Sequence, residues 1–269
     1  MQITSLGFRT DVMLLTLQGG EVDDRGDHLV VRSPRAPEFW WGNFVLFRAA
    51  PTSGDLGRWE RAFSAGLPHA AHRTFGVDAT AADASGCAEF VAAGYDVDCS
   101  SVLTASRLHE PPRGSAGATF RSLDLTNPRE LEAAVDVQVA NASPSAPPGH
   151  GDFLVHRMES MRALQEAGRG SWFGAFLGGR MLSGLGLFTD GSGIARFQNV
   201  DTRPEARRRG LAGALVHHAG AHGVAEWGVT TLVIVADPGY HAIDVYRSVG
   251  FAVAETQVQL ERAPQQPEA

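Results

Sequence analysis

Along residues 119–260 the spacing of apolar positions switches repeatedly between the period of a strand and the period of a helix. Thr119–Leu125 alternates and predicts a strand. Pro128–Ala140 has helical spacing, with Asn127 placed as its N-cap. The run NASPSAPPGHG, residues 141–151, reads as a loop, and Asp152–Ala167 as an amphipathic helix. Trp172–Leu177 and Met181–Thr189 predict a hairpin over Gly178-Gly179-Arg180. Ile194–Thr202 is a further strand, Arg208–Gly223 a helix and Thr231–Ala236 an apolar strand. His241–Val249 is a helix and Ala252–Leu260 a last strand. This order, βααβββαβαβ, predicts an α/β (α+β) fold: a mixed, mostly antiparallel central sheet flanked by helices.

The upstream half echoes the end of the chain. Phe90-Val-Ala-Ala-Gly94-Tyr95 and Tyr246-Arg-Ser-Val-Gly250-Phe251 share the pattern aromatic-x-x-x-Gly-aromatic at an offset of 156 residues. Each follows a short helical pattern (CAEF, AIDV) and precedes a strand-like run (VDCSSVL, AVAETQVQL). The strand candidates TFGVDA and TLVIVADP stand upstream of each. The Pro/Gly/Ser-rich stretch from Glu110 to Gly117 separates the halves. These features predict a domain over 1–110, a linker over 111–118, a second domain over 119–262 and a tail over 263–269. A diverged duplication explains the echo. Its rival is chance, because helices closed by glycine and followed by an aromatic residue are common.

Composition narrows the functional classes. Hydrophobic residues make up 43% of the chain, enough for a packed core, and the formal net charge is −7. A nucleic-acid partner is not expected of so acidic a protein. All 23 basic residues are arginine. Phosphate loops that need a lysine are therefore excluded, and so is Schiff-base chemistry on the chain. Cys87 and Cys99 lie outside metal-binding spacing and read as free thiols of a reducing compartment. No leader or membrane-spanning run is visible, so the sequence predicts a cytoplasmic protein with no membrane partner. The sequence leaves monomer and homodimer open.

The densest chemistry lies in RPEARRRGLAGAL, residues 203–215. A strand leads into three adjacent arginines, a glycine and a helix of small and apolar residues. Helix N-termini present free N–H groups, and small residues there let an anion approach the backbone. Cations at that end are unfavourable unless an anion joins them.

Arg207-x-x-Gly210-x-Ala212 between strand and helix, with Tyr246-x-x-x-Gly250-Phe251 downstream, resembles the acetyl-CoA signature of the GCN5-related N-acetyltransferase (GNAT) superfamily. The resemblance spans Thr119 to Leu260. It implies two tandem GNAT-like domains, the N-terminal copy degenerate, since Phe90 lacks a hydroxyl and the segment from Asp55 to Ala62 lacks the arginine motif. It also implies acetyl-CoA as acyl donor and transfer to a primary amine, of a small molecule or a peptide N-terminus. Backbone groups of Val200, Asp201 and Thr202 would bond the pantetheine arm. N–H groups of Arg207, Arg208, Arg209, Gly210, Leu211, Ala212 and Gly213 would hold the pyrophosphate. Tyr246 would protonate the leaving thiolate. Many members carry Asn where this chain has Gly239, so His241 or Asp237 is expected to take that contact. For the general base the candidates are Asp201 and Asn199, which strand alternation places on one face, and His241. The alternative reading is a non-catalytic acyl-CoA-binding or regulatory module.

Other clusters have plainer readings. His218 and His222 are one helical turn apart without an acidic or cysteine partner, so no metal site is expected. Phe39–Asn43 reads as strand packing, or else as a wall of the acceptor pocket.

Overall fold

A computed structural model describes residues 1–81, 83–143 and 149–264. Residues 144–148 of the predicted 141–151 loop and 265–269 of the predicted 263–269 tail lie outside these residues. The chain folds into two compact units. The first comprises Met1–Leu103, Val235–Gly239 and the chain from Val253 onward; the second comprises Thr104–Ile234 and Tyr240–Ala252.

In chain order the first unit contains α1 (Leu6–Leu17), β1 (Glu21–Asp24), β2 (His28–Arg32), β3 (Phe44–Phe47), α2 (Leu56–Gly66), β4 (Arg73–Val77), α3 (Ala88–Ala92) and β5 (Asp96–Ala105). The second contains β6 (Thr119–Ser122), α4 (Pro128–Val139), α5 (His150–Glu166), β7 (Gly170–Leu177), β8 (Arg180–Thr189), β9 (Ile194–Thr202), α6 (Leu211–Trp227), β10 (Thr231–Ala236) and α7 (Ala242–Ser248). The last strand, β11 (Ala252–Arg262), follows the second unit in sequence but returns to the first.

The first unit's sheet runs β1-β2-β3-β4-β11-β5. β3 and β4 are parallel across the α2 crossover, and β11 lies antiparallel on β4, with Leu260 opposite Phe75. Alternation puts Val258 and Leu260 of β11 into a core with Phe47, Trp59, Phe63, Phe75 and Phe90. Trp59 stacks on Phe47 at 4.0 Å between ring centroids. The aromatic run 39–43 belongs to this unit's packing. Trp40 stacks on His72, and the Trp41 indole donates to a Glu261 carboxylate oxygen at 2.9 Å. Cys87 and Cys99 are free thiols.

The second unit's sheet runs β10-β9-β8-β7-β6. β6 to β9 are antiparallel neighbours, while β9 and β10 are parallel across the α6 crossover. Asn127 caps α4 as its sequence predicts, accepting the Arg129 N–H at 3.1 Å with Pro128 in the first turn. Helix α6 starts three residues later than its apolar pattern indicates. The reason is backbone handedness: Arg208 (φ 63°) and Gly210 (φ 77°) are left-handed and cannot belong to an α-helix. At its other end the helix continues to Trp227, where left-handed Gly228 closes it.

Because β11 completes the first unit's core, Leu260→Ala is expected to destabilise that unit by about 2–5 kcal/mol, the range for truncating a fully buried leucine. Denaturant titration followed by the fluorescence of Trp59 in the same core would measure it. A change below about 1 kcal/mol would remove β11 from that core's energetics.

Candidate active site

The site grows from an irregularity in β9. Gly186 of β8 pairs with Gln198 and Gly184 pairs with Asp201, so Asn199 and Val200 together face the single residue Leu185. This is a β-bulge, and Asn199 takes the left-handed backbone conformation in it (φ 48°). The extra residue reverses which face the end of the strand presents. Phe197 and Leu187 face α6: a Cβ at Gly223 would meet Leu187 at 2.9 Å, and one at Gly220 would meet Phe197 at 3.5 Å. Strict alternation would carry Asp201 to that same face. Instead its pairing with Gly184 sets it on the opposite face with Gln198, beside α4 and α5. Asn199 also turns there, reaching α4 and α5 side chains. Asn199 and Asp201 thus do share a face, but the bulge rather than alternation puts them there.

A residue that the sequence pattern does not single out anchors this arrangement. Arg157 of α5 donates from Nη2 to Asn199 Oδ1 at 2.5 Å and to Gln198 Oε1 at 3.2 Å. Asn199 Nδ2 in turn donates to Gln138 Oε1 of α4 at 3.3 Å. One sequence signal was available: Arg157 falls within the stripe Leu154, Met158, Met161, Leu164 that α5 buries.

Electrostatics mark the same place. Burial pushes the Asp201 carboxyl up to about 6, against the pull of Arg157 and then Arg207. Burial lowers the Arg157 guanidinium from its usual range, and Asp201 opposes the shift. Tyr246 on α7 is 6% exposed. Burial, and after it the charges of Asp201 and Tyr240, raise its phenol further above its ordinary range. Asp201 and Tyr246, distant in sequence, therefore belong to one electrostatic cluster. His241 lies at the exposed start of α7, its ring 4.2 Å from that of Tyr240.

Beyond the bulge, β9 leads to the arginines. Its parallel pairing with β10 covers only Ile194, Ala195 and Arg196, so the edge carrying Val200, Asp201 and Thr202 is unpaired on that side. On the other side, Ser183 Oγ donates to the Asp201 carbonyl at 2.6 Å and sits 2.8 Å from Thr202 Oγ1. The Arg207 guanidinium folds back onto the Thr202 carbonyl (3.4 Å) and Asn141 Oδ1 (2.7 Å). Arg208 and Arg209 are exposed and, among the described residues, pair with no carboxylate. Gly210 caps α6 without a side-chain hydrogen bond, and no acidic residue occupies the first turn. The first N–H groups of α6, from Leu211 to Gly213, thus have no partner within the helix. The chain also packs closely here: a Cβ at Gly210 would lie 3.0 Å from the Arg113 carbonyl oxygen. Arg113 belongs to the predicted linker, and only the folded chain brings it beside Gly210.

His218 and His222 are half-buried. They lie against Phe120, Phe173 and Trp227, and no cluster of metal-binding side chains occurs among the described residues. No helix among the described residues is long and apolar enough to cross a membrane.

A mixed sheet whose parallel pair separates after Arg196, with a bulge at Asn199 and Val200 and an uncapped helix start beyond it, frames the candidate site. Residues 140–251 match the family model described as "Acetyltransferase (GNAT) family". Solved structures extend the likeness over both units. A functionally unknown conserved protein from Staphylococcus epidermidis has a TM-score of 0.70 at 12% identity, over 91% of this chain and 94% of that one. A GCN5-related N-acetyltransferase from Kribbella flavida has a TM-score of 0.61 at 16% identity, over 98% and 97%. A tandem GNAT protein from the clavulanic acid biosynthesis pathway has a TM-score of 0.56 at 17% identity, over 99% and 94%. At these identities the likeness is one of fold. No curated protein matches the sequence.

A carboxyl held at about 6 in the fold, against 3.8 ordinarily, keeps its proton where the unfolded chain has lost it. Its contribution therefore lowers stability as pH rises between those two values. Relative to Asp201→Asn, the wild type is expected to lose about 3 kcal/mol of unfolding free energy between about pH 3 and pH 7.5. Parallel pH dependences in urea titrations of the two proteins would show that Asp201 is not desolvated.

Proposed function

We propose that the protein is an acetyl-CoA-dependent N-acetyltransferase acting on a primary amine. One observation carries this reading: the unpaired edge of β9 runs directly into a bulk-free, uncapped helix start flanked by exposed arginines. An extended pantetheine arm suits the first feature and a pyrophosphate the second. Backbone groups of Val200, Asp201 and Thr202 would bond the arm. The N–H groups from Arg207 to Gly213, with the guanidinium groups of Arg207, Arg208 and Arg209, would hold the pyrophosphate.

Bound there, acetyl-CoA supplies an activated acyl carbon. The chain's own residues manage protons. Asp201, with its carboxyl near 6, is mostly a carboxylate at neutral pH and takes one proton from the incoming ammonium. As the C–N bond forms and the C–S bond breaks, Tyr246 gives its phenolic proton to the departing sulfur. The phenolate then recovers the remaining proton from the new amide nitrogen. Burial suits Tyr246 to this task, because it keeps the phenol protonated until the thiolate needs it. His241, exposed at the start of α7, would contact the donor rather than act as the base.

The first unit supports no second donor site. At the start of α2, Glu89 accepts the Gly54 N–H at 2.8 Å, and Asp55 accepts from Thr52 and pairs with Arg58. Acidic side chains of the protein itself already occupy the region where a phosphate would sit. Phe90, buried against Trp59 and Phe75, carries no hydroxyl.

Calorimetry with coenzyme A tests the cradle. Arg207→Ala should weaken binding about tenfold, the loss of a charge-assisted contact; an unchanged affinity would sink the assignment. Tyr246→Phe should slow thiol release from acetyl-CoA in the presence of an amine about 100-fold while leaving coenzyme A affinity within about twofold. A wild-type rate would reject Tyr246 as the acid. Tight binding with no transfer to any amine would instead favour an acyl-CoA-binding module.

A further inference from the structure

We infer that Arg157 is a positioning residue for the transfer: it holds the β9 bulge in the register that turns Asp201 toward α4 and α5. The inference rests on the acyltransferase reading above, in which Asp201 is the base, and adds the group that sets that base in place.

One guanidinium nitrogen reaches two consecutive side chains of a strand. Arg157 Nη2 donates to Gln198 Oε1 at 3.2 Å and to Asn199 Oδ1 at 2.5 Å. In a regular strand consecutive side chains point to opposite faces, so a group on one helix meets only one of them. Both reach Arg157 because Asn199 is left-handed (φ 48°) and shares its partner Leu185 with Val200. The two contacts therefore coexist only in the bulged register. Straightening β9 would carry the Asn199 amide away from α5. It would also take Asp201 out of its pairing with Gly184, toward the face of Phe197 and Leu187. A contact made in one of two states and absent from the other shifts the balance toward the first. Arg157 thus offsets the strain of a positive φ on a residue that is not glycine.

Arg157 also acts on Asp201 by charge. A neutral donor would suffice as a tether, yet α5 places a guanidinium there, with its hydrogen bonds going to neutral amide oxygens. Its pull is the largest of the charges that oppose the effect of burial on Asp201. The other charged or titratable groups facing that carboxyl are Arg207, beyond β9, and Tyr246 on α7. From α4 comes the neutral Gln138, since Asp136 lies with Arg203 at 3.7 Å, and from β8 the neutral Ser183. Register and charge serve one end, a carboxyl that stands on the α4–α5 face and is ionised at neutral pH.

NMR of the full-length protein, without donor or acceptor, reads both effects. Cross-strand contacts between Gly184 and Asp201 report the register. They should weaken in Arg157→Gln and return when Asn199→Gly is added, because glycine takes a positive φ without a tether. Contacts that persist in Arg157→Gln, or that do not return in the double variant, would overturn the inference. If melting shows that Arg157→Gln does not fold, the double variant carries the test alone. Folded with those contacts it supports the inference, and unfolded it overturns it. The labelled Asp201 carboxyl, identified by its absence from Asp201→Asn, reports the charge. Its midpoint should lie at about 6 in the wild type. In the double variant it should rise by about one pH unit, as expected for the loss of an opposite charge nearby. Arg157→Lys, which keeps the charge, should stay near the wild type. Thiol release from acetyl-CoA with a panel of primary amines is then followed against pH. A base works as its carboxylate, so the rate climbs through the Asp201 midpoint. Below both midpoints the double variant should be about tenfold slower than the wild type. The two readings fail separately. The expected register and midpoint in a protein that acetylates no amine keep Arg157 as the anchor of Asp201 and remove the transferase. Transfer whose pH limb stays fixed while the midpoint moves keeps the transferase. It removes Asp201 as the base, and with it this role of Arg157.

Discussion

One additional residue in β9, set against Leu185, governs the second unit's chemistry. A bulge bends its strand and strengthens the local twist. Here its consequence is a change of face. Without it, Asp201 would point toward α6 among Phe197 and Leu187, a place for an apolar side chain. With it, Asp201 lies beside α4 and α5, where Arg157 and Asn199 wait. The bulge holds a non-glycine residue at positive φ, a conformation that asparagine tolerates better than most. Arg157 and Gln138 grip that asparagine through its side chain, so the strained backbone and the buried polar network stabilise each other.

Asp201, Arg157 and Tyr246 form one electrostatic cluster near this bulge. Burial opposes charge on Asp201, Arg157 and Tyr246 alike, but the three respond differently because their ordinary values differ. Asp201 moves toward neutrality, where a carboxyl can both take and release a proton. Tyr246 is shifted in the same direction, and because a phenol already keeps its proton at neutral pH the shift makes that retention firmer. Arg157, charged at any working pH, becomes a cation short of partners. The same burial thus leaves a carboxyl near neutrality, a phenol that keeps its proton and a cation held by neutral amides.

The two units share a parallel pair crossed by a helix, β3-α2-β4 in one and β9-α6-β10 in the other. They use its helix start in opposite ways. Where α2 begins, Asp55 and Glu89 supply negative charge from within the chain. Where α6 begins, arginines crowd an end whose dipole repels them. A bound anion would offset that repulsion, which is why the donor site is proposed for the second unit. The last strand then ties the chain together: β11 follows the second unit's elements and fills the first unit's sheet.

Much of this was legible in the residues themselves. Periodicity located the second unit's strands and helices because each has one face to bury, and Asn127 marked its helix through a local hydrogen bond. The arginine–glycine loop and Tyr246 stand out in the sequence because they set distinctive residue types at fixed local spacing. What the sequence could not reveal depends on contacts between distant segments. Arg157 is one charge in an amphipathic helix until β9 supplies Asn199 and Gln198. Arg113 reads as linker until it passes Gly210. The start of α6 shifts because two left-handed residues interrupt an apolar pattern that looks helical throughout. Alternation predicted the right neighbours for Asp201 by a rule that the bulge breaks. A sequence fixes local periods and local caps, whereas a register shift is settled by pairing with another strand, and only the tertiary structure holds that information.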